Sequence, residues 1–196
     1  MENVRNHMTE TRTILPPYRD TRHMSQQVLF IAVAISAGMI NALQISMLGA
    51  IKAERGTFES TWISNLASLA GMALVLGIVT LATGKSGLPF PFTSPLTYVV
   101  VSFFMLIGLL LAAQGIAPYL MLTGLASIPF LLSAAYIGPR IGLGVYFAAV
   151  VTGQLTGSSL LDHVGAFGST QRTLDWVRLL GILVLLLGVV LIRGRK

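Results

Sequence analysis

Gln154, Ser158 and Asp162 recur at i, i+4 and i+8, so a helix would carry an amide, a hydroxyl and a carboxylate along one ridge. Such a ridge suits hydrogen bonding and charge pairing with a small polar molecule, and these three are candidate binding residues. Asp162 weighs most, because a carboxylate beside an apolar stretch is costly unless it is paired or wetted. His163 follows it and can titrate near neutral pH. Neighbours on a helix point in different directions, so the two make no obvious acid–base dyad. Arg178 is a charge partner within reach of Asp162, and Asp162, His163 and Arg178 together are the candidates for coupling.

Asn41 and Gln44 stand three residues apart beside Ala37 and Gly38, on one face of a helix. They are further candidate binding residues, with a competing role as glue, since amide side chains hydrogen-bond across helices in lipid. No nucleophile with a base, phosphate-binding loop or metal cluster is visible. The histidines at 7, 23 and 163 have no ligand spacing, and cysteine is absent. The sequence thus predicts no catalytic residue, no metal and no cofactor.

The elements that must position these groups are apolar. Six stretches near 28–50, 61–83, 96–116, 118–137, 140–161 and 174–193 approach the roughly 20 residues a spanning helix needs. Mean hydropathy is +0.79 and only 10% of residues are charged, against about 25% in soluble domains. A helix apolar all round suits lipid, because it closes its own backbone hydrogen bonds. The predicted fold is an all-α, polytopic membrane bundle of about six spans, with five as the alternative count. Residues 1–27 form a flexible polar tail, 28–193 the bundle and 194–196 a basic end.

Gly115-Ile116-Ala117-Pro118 and Gly138-Pro139-Arg140 are predicted breaks, and the glycine- and proline-rich stretch 84–95 is a loop. With six spans and the amino terminus inside, Arg5, Arg12, Arg19, Arg22, Lys85, Arg140, Arg193, Arg195 and Lys196 share the cytoplasmic side. Lys52, Arg55, Arg172 and Arg178 fall opposite, in keeping with the positive-inside tendency. Both termini are then cytoplasmic. The net charge of +6 serves membrane topology and headgroups rather than nucleic acid.

Small residues mark where helices can approach closely. Gly153 and Gly157 have GxxxG spacing, Gly38 adjoins the amides, and Gly71 continues a stripe from Ser64 and Ser68. Gly181 and Gly188, one heptad apart, make a further packing seam. Trp62 reads as an interfacial anchor, while Gln114 and Tyr119 are expected to face headgroups.

The run from Val151 to Gly168, with Gly153-Gln154 and Asp162-His163-Val164-Gly165-Ala166-Phe167-Gly168, resembles the GQ…DHxGxxG signature of the YdcZ-type branch of the drug/metabolite transporter superfamily. Arg178-Leu179-Leu180-Gly181 and the apolar 188–192 extend the likeness, and Gly38 with Gln44 echoes it in the first span. The resemblance implies a bacterial inner-membrane exporter of small molecules, in a family whose members commonly show five spans. Residues 96–116 are then the added span, and Leu48 stands where an asparagine often follows the glutamine. A unit this short implies a homodimer, or pairing with a related membrane subunit, to enclose a site for alternating access. The alternative is a non-transporting membrane subunit that packs into or scaffolds a larger complex. The sequence names no substrate.

Overall fold

A computed structural model describes residues 21–193, and every regular element is helical. The amino-terminal tail with Arg5, Arg12 and Arg19, and the basic end 194–196, lie outside the described residues. Six helices follow in order: α1 (Thr21–Arg55), α2 (Thr57–Thr83), α3 (Pro95–Ala112), α4 (Ser127–Ile141), α5 (Leu143–Val164) and α6 (Trp176–Arg193). A 3₁₀ segment, Pro118–Ala126, leads directly into α4. Among the described residues, four stretches are long and apolar enough to cross a bilayer: Ser25–Arg55, Thr57–Thr83, Pro95–Ala112 and Pro118–Ile141. The apolar part of α6, Trp176–Ile192, is shorter. Helix α5 has 22 residues but carries the polar ridge.

The six segments overlap the six apolar stretches of the sequence, with shifted edges: α3, for one, stops at Ala112, and 118–126 is 3₁₀ rather than α-helix. Helix α1 begins at Thr21, so residues 21–27 belong to it and not to the tail. The break near 138–140 falls at Gly142 instead, where φ is +88°. Pro139 sits inside the last turn of α4, and Gly138 is buried where an added Cβ would lie 3.1 Å from Leu143. The chain reverses here through a positive φ, which Gly142 tolerates.

The tightest packing is backbone on backbone. Helix α1 lies against α5 more extensively than against any other element. At their crossing a Cβ on Gly38 would overlap the Val150 carbonyl, and one on Gly153 would overlap that of Ile35. Gly157 stands over Met39 and Ala42, where a Cβ would sit 3.1 Å from the Met39 Cα. Small residues permit this approach in lipid, where dispersion contacts rather than water exclusion hold helices together. The order of contacts makes α1 and α5 run in the same direction.

A second close contact explains the 3₁₀ segment. A Cβ on Gly124 would overlap the Ser64 carbonyl, so this stretch lies directly on α2. Ser68 Oγ and Ser127 Oγ each donate to the Gly124 carbonyl at 2.7 Å. Thr123 Oγ1 donates to the Gln44 carbonyl at 3.2 Å, joining the segment to α1. Gly71 lies beneath Leu125 and Ile128. By contrast, a Cβ on Gly181 or Gly188 would meet nothing within 4 Å, so this α6 seam packs no neighbour among the described residues.

Gly153→Leu should lower unfolding free energy by about 1–3 kcal/mol through overpacking, read as a lower melting midpoint in detergent micelles. Gly181→Ala, set in open space, should not lower it. Equal losses at the two positions would mean that the α1–α5 crossing is not the principal contact.

Candidate functional site

Between the last turns of α1 and α5 the bundle opens into a cavity of about 560 Å³. Its walls come from α1 (Ala42 to Glu54), the start of the 3₁₀ segment (Tyr119, Leu120), α5 (Ser158, Leu161, Asp162) and the hook 167–169. Its floor lies where Ala42 meets Gly157, at the edge of the α1–α5 crossing. The cavity is therefore open at one end of the bundle and closed by packed backbone below. A hollow of about 680 Å³ around Arg55, Phe58 and Trp62 is mostly the outer face of one helix, α2.

The polar ridge of α5 divides between these environments. Ser158 and Asp162 line the cavity. Gln154 lies one turn deeper, its backbone nitrogen 3.0 Å from where a Gly38 Cβ would be. Asn41 and Gln44 are half-buried and outside the cavity wall, and Gln44 Nε2 donates to Ser64 Oγ on α2 at 3.5 Å. The five candidate binding residues are thus spread along the crossing rather than gathered at one point.

Asp162 and Arg178 approach to 3.7 Å, bridging α5 and α6 with side chains 38% and 32% exposed. His163 is turned away from this pair. Its Nδ1 accepts from the Leu174 backbone at 3.4 Å, and its carbonyl accepts from Gln171 Nε2 at 3.0 Å. The Asp162 carbonyl accepts from the Arg172 backbone at 2.9 Å. These bonds hold the α5–α6 loop against the end of α5. Asp175 then caps α6, its Oδ1 accepting from the Arg178 backbone at 2.9 Å.

The hook itself is unusual in its backbone. Phe167 has φ of +56°, alone among the described non-glycine residues in being positive. A bulky residue in that region is an outlier held by its surroundings. Its ring packs against Tyr119 with centroids 6.0 Å apart, both rings on the cavity wall. Ser169 Oγ is buried with no hydrogen-bond partner among the described residues. Glu54 adds a second carboxylate at the rim. Tyr119 therefore faces the cavity, not headgroups alone, though half its surface remains exposed.

Residues 29–191 match a family described as "Putative inner membrane exporter, YdcZ". The chain belongs to that family. No curated protein and no solved structure matches the chain. Membership spans nearly the whole bundle, including the first helix, where the sequence likeness was slight. The protein is thus a multi-pass inner-membrane protein of an exporter family, and the cavity at the end of α1 and α5 is the candidate site of that family member.

The Asp162–Arg178 pair is half-exposed, and such pairs stabilise by about 0–1 kcal/mol. Asp162→Asn should therefore shift unfolding free energy by less than about 1 kcal/mol. A loss of several kcal/mol on melting would make the carboxylate structural instead.

Proposed function

We propose that this chain exports a small molecule by alternating access, working as a homodimer or with a related membrane subunit, with both termini cytoplasmic. The observation that carries this reading is a cavity open at one bundle end and shut by the α1–α5 crossing, in a member of an exporter family. A transporter must close one side before opening the other, and a glycine-lined crossing can rock without displacing large side chains. Asn41, Gln44 and Gln154 lie along that crossing and would line the pathway when it opens. Ser158 and Asp162 would contact substrate in the present arrangement. Asp162, His163 and Arg178, grouped at the α5–α6 junction, would carry any coupling to ions.

What α6 leaves uncovered supports the pairing. Among the described residues, helix α6 packs chiefly on α5, and its Gly181 and Gly188 face open space. A second copy seated there would use the small-residue seam and widen the enclosed volume. The basic residues support the orientation. Lys85 and Arg140 lie at the end opposite the cavity, which supports a cavity mouth on the periplasmic side.

The chain has no cysteine, so a single introduced thiol reports on access. Ser158→Cys should react with a membrane-impermeant maleimide from both faces, in right-side-out and in inverted vesicles. Labelling confined to one face under all conditions would count against alternating access.

A further inference from the structure

The cavity's wall has one sign of charge. Its only ionisable acids and bases are Glu54 and Asp162 (the Tyr119 phenol aside), with no Lys, Arg or His among its lining residues. Arg178 reaches Asp162 from outside through one carboxylate oxygen, Oδ2, at 3.7 Å. The other oxygen has no partner among the described residues, and neither has the Glu54 side chain. A carboxylate in a concave, partly dry site favours a cation more strongly than one in open water.

Two further features narrow the cation. Tyr119 and Phe167 present a ring pair on the same wall, and aromatic faces attract cations that have shed water. The remaining surface is largely aliphatic, from residues such as Ile45, Ala50 and Leu161. The volume of about 560 Å³ is within the range of small-molecule sites.

We infer that this cavity takes a primary organic ammonium ion with an apolar body, its charge facing Glu54 and Asp162 and its body against Tyr119 and Phe167. The inference deepens the transport reading and rests on it for the ligand's role, but the site itself can be tested by binding alone. A metal ion would leave the aromatic and aliphatic wall unused, and an anion would meet two carboxylates.

Phenethylammonium, 2-phenylethanol and phenylacetate have nearly the same size and differ in charge. Titrated into the full chain in uncharged detergent, with empty micelles subtracted, phenethylammonium should bind at least tenfold more tightly than the alcohol. Phenylacetate should bind more weakly than either. Glu54→Gln and Asp162→Asn should each weaken the amine by about tenfold, the scale of one charge-assisted hydrogen bond. Tyr119→Leu should weaken it about threefold. Glu54 is exposed, so its variant leaves packing unchanged and keeps the test readable if Asp162→Asn is unstable. Equal binding of amine and alcohol, or wild-type affinity in both carboxylate variants, would overturn the inference. Charge-selective binding with one-sided labelling of Ser158→Cys would refute transport and keep the site, while two-sided labelling with charge-blind binding would do the reverse.

Discussion

The α1–α5 crossing is the constraint on which the rest of the bundle depends. In lipid, helices gain nothing from excluding water, so contact must come from shape. Gly38, Gly153 and Gly157 remove the side chains that would hold the two backbones apart. Because the helices run in parallel and touch mainly along their middle, they diverge toward the end where α1 finishes. That divergence is the cavity, and its floor is the crossing itself.

Other elements close the opening from two sides. The loop after α5 folds back, tied by the Asp162 and His163 carbonyls, and sets Phe167 against Tyr119. The 3₁₀ segment brings Tyr119 and Leu120 up to α1 while Gly124 seats on α2. Polar groups in these contacts are bonded locally, as with Ser68, Thr123 and Ser127. Those bonds add hydroxyl donors to backbone carbonyls and tie the 3₁₀ segment to α1 and α2.

Much of this was legible before the structure. Hydropathy located all six helices, since apolar length is set by bilayer thickness, and the GxxxG spacing marked Gly153 and Gly157 as small positions. Pro118 and Gly115 signalled the turn between α3 and the 3₁₀ segment. Asp162 stood out for its charge, and its approach to Arg178 followed from their places at adjoining helix ends. The partners of Asp162 across the cavity were not legible. Glu54 lies more than a hundred residues earlier, and only the helix count, which puts α1 and α5 in the same direction, could have brought it to the same end. Ser169 and the φ of Phe167 depend on how the loop turns back, which no periodicity encodes. The break at Gly142 was misplaced because Pro139 is tolerated in a final helical turn, while positive φ decides where the chain reverses.

The winding of Pro118–Ala126 has a geometric corollary. Nine residues at the 3₁₀ rise extend about 4–5 Å farther than the same nine at the α-helical rise, and they complete three turns rather than two and a half. Rewound as α-helix, the stretch would turn its two ends half a revolution relative to each other. With Gly124 pinned on α2, the ring of Tyr119 would then swing out of the chamber, so the pitch of this short screw fixes one wall.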